Sequence, residues 1–167
     1  MSIAQQDITG VVLAGGLARR MGGVDKGLQP FRGRTLVEHA LQRLRPQVHI
    51  VGINANRHLD QYAAFGVPVW PDATNEFAGP LAGFVAGMSH CTTPYLLTAA
   101  CDTPFFPLDL AARLGQSLQE SNADIAMAAA PETDDQGHTR IRTQPVFCLL
   151  RASLLGSLQN FMQNKKT

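Results

Sequence analysis

Ile8 to Leu13 is an apolar, partly β-branched run, long enough for one fully buried strand, and it opens straight into a glycine-rich segment. The stretch reads Ile8-Thr-Gly-Val-Val-Leu-Ala-Gly-Gly-Leu-Ala-Arg-Arg-Met-Gly-Gly-Val-Asp-Lys26. Glycine lets backbone N–H groups converge on an anion where a Cβ would intrude. Arg20 and Lys26 can add compensating positive charge, so a polyphosphate is the natural ligand. The competing reading is a glycine-rich strand-to-helix connection with surface cations.

The rest of the chain repeats the strand-then-helix alternation. Thr35 with Glu38 forms a capping box in front of Leu36, Val37, Ala40, Leu41 and Leu44, which recur at helical spacing until Pro46. Val48 to Ile53 reads as a second strand, Leu59 to Phe65 as a short helix and Val67 to Trp70 as a brief third strand. Gly79-Pro80-Leu-Ala-Gly83 opens a helix running to about Ser89. Tyr95 to Ala100 is another apolar strand, Leu108 to Leu118 a helix, and Ala123 to Ala130 and Val146 to Leu150 the last strands. Pro131 to Arg142, polar and charged, reads as a mobile loop between them. Ala152 to Met162 reads as a final helix. Strands separated by helical stretches of this length imply βαβ units. The expectation is a single α/β domain, doubly wound around a mostly parallel, Rossmann-like sheet.

Fourteen basic residues against thirteen acidic leave a net charge of +1, which gives no electrostatic footprint for nucleic acid or a membrane surface. No apolar run approaches a membrane span, and the first residues lack the basic region of a signal peptide. Cys91, Cys101 and Cys148 form no C-x-x-C pair, and three cysteines leave one unpaired under any scheme. Reduced thiols in the cytoplasm are the expectation.

Ligands of such sheets sit beyond the carboxyl ends of the strands. Four polar or glycine-rich motifs fall there: the glycine loop, Asn54, Asp72 and Asp102. A carboxylate just past a buried strand suits a hard cation, and Mg²⁺ takes one or two carboxylates plus phosphate oxygens. Asp102 could instead cap a turn with Thr103-Pro104. Asn54 could likewise be a turn residue, and Asp72 could read a base edge or merely shape its loop. Gly79 and Gly83 would allow a close approach of the helix to a ligand, or only tight packing. His39, His49, His58 and His90 show no ligand spacing and read as structural.

Neither of two common phosphate loops is present. There is no G-x-G-x-x-G, and Lys26 stands between Asp25 and Gly27, unlike the lysine of a Walker A loop. Leu13-Ala-Gly-Gly-Leu-Ala-Arg-Arg-Met-Gly-Gly-Val-Asp-Lys-Gly27 instead resembles the L-A-G-G-x-x-x-R-M-G-x-x-K signature of nucleotidyltransferases. Within them it resembles the molybdenum cofactor guanylyltransferases. Cys101-Asp102-Thr103-Pro104 also fits, with Ala100 where the family has proline.

The resemblance implies transfer of GMP from GTP to the phosphate of molybdopterin, with Mg²⁺ as cofactor. It assigns nucleotide contacts to Leu13, Ala14, Gly15, Gly16, Lys26, Asn54, Asp72, Gly79 and Gly83, and metal binding to Asp102. Arg20, Lys26 and Asp102 would carry catalysis; the role of Arg19 stays open. His138, Arg140, Arg142 and Gln144 fall on the strand where the family places its pterin side. Two alternatives stand beside this: a CTP-dependent cytidylyltransferase acting on the same pterin, and a nucleotide-binding partner without turnover. Implied partners are GTP, molybdopterin, other cofactor-biosynthesis proteins and molybdoenzymes. Compared with the family pattern the sequence stops about 25–30 residues early, much as if one αβ unit were absent. That leads to the expectation of weak pterin binding by a monomer or weak homodimer.

Overall fold

The structure, a computed structural model, describes residues 2–15, 25–74 and 79–165. Its centre is β1 (Ile8–Leu13), whose residues are buried almost throughout. A strand hidden on both faces needs apolar or small side chains at every position, which explains the uninterrupted run. β1 pairs in parallel with β4 (Ile50–Asn54) on one side and β5 (Tyr95–Ala100) on the other. Beyond β5 lie β7 (Thr139–Arg151) and then β6 (Ile125–Thr133), giving the order β4-β1-β5-β7-β6. β7 runs antiparallel to both its neighbours, so four strands share one direction and β7 opposes them. The sheet is therefore mostly parallel, with one reversed strand.

Helices cover both faces. α1 (Leu36–Leu44) and α4 (Leu110–Glu120) contribute Val37, Leu41, Leu114 and Leu118 to the larger core cluster. α3 (Pro80–Ser89) and α5 (Leu155–Asn164) pack on the other side around Phe84, Met88 and Met162. The predicted capping box is complete: the Glu38 carboxylate accepts from the Thr35 N–H at 2.7 Å, and Thr35 Oγ1 accepts from the Glu38 N–H at 3.4 Å. Two residues at positive φ, Arg32 and Gly33, turn a small antiparallel hairpin between β2 (Pro30–Phe31) and β3 (Arg34–Thr35). Among the described residues no helix is long and apolar enough to cross a membrane.

Several helix ends shift by a few residues from the sequence reading, α4 beginning at Leu110 and α5 at Leu155, and three other regions differ from it. The second strand is Ile50–Asn54 instead of Val48 to Ile53, and a 3-10 turn over Arg45–Gln47 leads into it through extended Val48. Val67 to Trp70 forms only a bridge to Ile53 through Val69, since Pro68 has no N–H with which to continue a ladder. Pro131 to Arg142 is no irregular loop. It is the outer part of a β6–β7 ribbon that pairs as far as Thr133 with Thr139, closed by a turn over Asp134–His138. The register shifts between Met127 and Ala128, where Pro145, Val146 and Phe147 of β7 have no partner on β6.

Candidate active site

The carboxyl ends of β4, β1 and β5 are tied to one another by backbone bonds. The Ala14 N–H donates to the Asn54 carbonyl at 2.8 Å, and the Cys101 N–H to the Leu13 carbonyl at 3.3 Å. Whatever follows each strand therefore starts from a fixed point. After β1 comes Gly15, after β4 Asn54 to Asn56, and after β5 the turn holding Asp102.

Asn54 is buried, and its amide nitrogen donates to the Trp70 carbonyl and to Asp72 Oδ1, both at 2.9 Å. Both amide hydrogens are thus committed to the protein, leaving Oδ1 as the group able to receive a ligand donor. That oxygen lies under Gly15 and Gly83. A Cβ on Gly15 would stand 2.8 Å from it, and one on Gly83 2.6 Å, with Leu13 Cδ2 at 2.7 Å from the latter. Both glycines are required by close approach, at the place where the glycine loop, α3 and Asn54 meet. Gly79 is the N-cap of α3 at φ 104.

Asn56 completes the arrangement, although nothing in its sequence surroundings marks it out from Asn54. Its Nδ2 donates to Asp72 Oδ2 at 2.9 Å and to the Gly15 carbonyl at 3.3 Å, and its Oδ1 accepts from the Asp72 N–H at 2.7 Å. Asp72 is thus held on both carboxylate oxygens and at its backbone. A carboxylate has about four acceptor positions, so room remains for a ligand donor. Beside it, a cavity of about 140 Å³ lies between the 72–74 segment, Ala82 and Val85 of α3, and Gln159 and Met162 of α5.

On the other side of β1, Lys26 Nζ approaches Asp102 Oδ2 at 3.7 Å, with about half of each side chain exposed. An ion pair this open contributes little to stability. Its importance is that a cation and a carboxylate lie side by side, half exposed, at this end of the sheet. The loop bearing Asp102 is anchored further on: Arg43 Nη1 donates to the Phe106 carbonyl at 2.7 Å. Gln47 bridges the Pro107 carbonyl (3.1 Å) and the Ala111 N–H (2.9 Å). Next to Asp102, burial foremost, and then the charges of Asp102 and Asp25, push the Cys101 thiol up to about 12. It is a packed thiol in surroundings that disfavour the thiolate.

The structure therefore brings Leu13, Ala14, Gly15, Lys26, Asn54, Asp72, Gly83 and Asp102 to one end of the sheet. Gly16 and Arg20, with Arg19, lie outside the described residues. His138, Arg140, Arg142 and Gln144 lie on the β6–β7 ribbon, where Arg142 pairs with Glu132 at 3.0 Å and His138 with Asp134 at 3.4 Å. Among the described residues no group of three His, Cys, Asp or Glu side chains is assembled to hold a metal. All three cysteines are free.

Residues 10–167 match the family model described as the MobA-like NTP transferase domain. The chain is 63% identical over 162 residues to the molybdenum cofactor guanylyltransferase of Acidovorax sp. (strain JS42), covering 96% of this chain and 77% of that one. It is 57% identical to the protein of the same name from Albidiferax ferrireducens, again over 96% of this chain and 77% of the other. Among solved structures, molybdopterin-guanine dinucleotide biosynthesis protein A from Archaeoglobus fulgidus superposes with a TM-score of 0.65. The sequence identity is 20%, over 94% of this chain and 74% of that one. A Thermus thermophilus 2-C-methyl-D-erythritol 4-phosphate cytidylyltransferase gives a TM-score of 0.68 at 16% identity, over 100% and 79% of the two chains. At such identities these two likenesses speak to the fold.

Proposed function

This chain belongs to the molybdenum cofactor guanylyltransferases of the MobA-like NTP transferase family, and on that premise we propose that it transfers GMP from GTP to the phosphate of molybdopterin. The products are the guanine dinucleotide form of the cofactor and pyrophosphate. The observation that carries the proposal is the pairing of Lys26 with Asp102 across the crevice from the glycine-bounded Asn54–Asp72–Asn56 network. One half of the crevice suits phosphates and a cation; the other suits a base and sugar.

The chemistry is an in-line displacement at the α-phosphorus. An acceptor phosphate oxygen forms the new P–O bond while the bond from the α-phosphorus to the α–β bridging oxygen breaks, and that oxygen leaves on pyrophosphate. No side-chain nucleophile is needed, so the protein contributes positioning and charge. Lys26 would neutralise the phosphates, with Arg20 in the same role. The Gly15 region would let the chain approach them without a Cβ in the way. Asp72 would accept from the guanine N1–H and N2 amine, two donors on one edge that suit a carboxylate.

Asp102 fits a magnesium ion: it is a hard oxygen donor, half exposed, paired among the described residues with Lys26 at 3.7 Å. A single protein carboxylate suffices for an ion that takes its remaining ligands from phosphates and water. Such an ion, when bound, draws charge from the α- and leaving phosphates.

Pyrophosphate release tests the proposal. With Mg²⁺, GTP and molybdopterin together should give pyrophosphate, and GTP alone or CTP with molybdopterin should give little. Release with CTP and not GTP would make the chain a cytidylyltransferase. Binding of GTP without release under any condition would make it a nucleotide-binding partner.

A further inference from the structure

Tyr62 lies in α2 (Leu59–Ala63), the short helix after Asn54-Ala-Asn-Arg-His58, and is fully buried. A buried phenol needs a partner for its hydroxyl. Here the hydroxyl donates to Asp25 Oδ1, thirty-seven residues earlier and beside Lys26. Burial, followed by the bond to Asp25, raises the phenol's pKa above its ordinary value.

Asp25 does more than receive this bond. The same Oδ1 accepts from the Gly27 N–H at 3.2 Å and caps the 3-10 turn Lys26–Leu28. The Asp25 carbonyl accepts from the Gln29 side-chain amide at 3.2 Å. Residues 25–29 thus form a closed turn in which Lys26 directly follows the capping Asp25. Gly27 is buried against Tyr62, so closely that a Cβ there would run into the hydroxyl and ring. A lysine side chain is flexible and half exposed at this site, so its reach is set by where its backbone is held. Tyr62 fixes that backbone from the element that follows the Asn54 strand end.

We propose that Tyr62, acting through Asp25, is a positioning residue that aims Lys26 at the phosphates of the nucleotide. The role rests on the nucleotidyltransferase reading above. It also links the two halves of the crevice, since the chain that carries Asn54 and Asn56 is the chain that clamps Lys26.

Tyr62→Phe removes only the hydroxyl and leaves the ring in the core. Lys26→Ala and the double variant complete a cycle, with GTP and guanosine affinities measured by calorimetry and folding checked by thermal melting. Loss of a hydrogen bond to a charged group predicts GTP affinity about tenfold weaker in Tyr62→Phe, with guanosine affinity unchanged. In the Lys26→Ala background the same change should cost nothing further, because the group it positions is gone. A GTP affinity at the wild-type level, an equal loss for guanosine, or a full further loss in the Lys26→Ala background would each overturn the proposal. Should Tyr62→Phe fold poorly, Asp25→Asn, which keeps the shape and the cap while removing the charged acceptor, is read by the same criteria. Wild-type GTP affinity in Lys26→Ala itself would instead bring down the phosphate-site reading on which the clamp depends.

Discussion

Asn54 and Asp102 stand at equivalent strand ends, yet their surroundings assign them different work. Asn54 spends both amide hydrogens on Trp70 and Asp72, so part of its contribution to a nucleotide site is to hold Asp72 in place. Asp102 is half exposed, and among the described residues it forms an ion pair with Lys26. We therefore expect Asp102→Asn to leave the fold and most of the GTP affinity intact while lowering turnover by at least about a hundredfold. A metal on the transferring phosphate acts more on the transition state than on the ground state. Steady-state kinetics under saturating Mg²⁺ checks this, and a near-normal rate would reduce Asp102 to a turn residue. Both residues were legible in the sequence because each follows an apolar strand. Asn56 and Tyr62 were not: their partners, Gly15 and Asp72 for one and Asp25 for the other, are set by tertiary pairing that no local pattern records. Tyr62 reads in the sequence simply as an aromatic residue of a short helix.

At the level of elements, the buried strands and the capped helix were legible because burial on both faces, or on one helical stripe, writes itself as an apolar pattern. β1 and β5 have the bounds that pattern gave, and α1 begins at its capping box. The β6–β7 ribbon was not legible, since its outer half is exposed on both faces and needs no apolar run. Glu132, Arg140 and Arg142 there look like loop residues although they pair in register. The link between α1 and α4 is a second feature hidden from the sequence. Buried Gln47 satisfies the Arg43 and Pro107 carbonyls and the Ala111 N–H, and so fastens the far side of the Asp102 loop. Gln47→Ala should leave these groups unpaired and cost about 1–3 kcal/mol in urea unfolding. A loss below a few tenths of a kcal/mol would show that the loop is held by other contacts.

Across the whole molecule, the sheet order places β1 between β4 and β5, so three successive parallel strands deliver their following loops to one crevice. The same packing buries two thiols: Cys101 is pushed up to about 12 and Cys148 to about 11, in both cases chiefly by burial, against an ordinary value of 9.0. Well below pH 9.0 these thiols are protonated in folded and unfolded chains alike and add no pH dependence. Above it the unfolded chain loses their protons first, so stability should fall from about pH 9 towards about pH 12. Urea unfolding at about pH 8 and about pH 10 should show a smaller loss in Cys148→Ala than in the wild type. Equal losses would mean that this thiol ionises as easily in the fold as out of it.

Transfer of a guanylyl group to a pterin phosphate is read out by incubating the chain with Mg²⁺, molybdopterin and GTP labelled on the α-phosphate. Label should enter a dinucleotide product, formed mole for mole with pyrophosphate and all but lost in Asp102→Asn. Label that stays in GTP, or that appears only as free GMP, would mean that the chain does not catalyse this transfer.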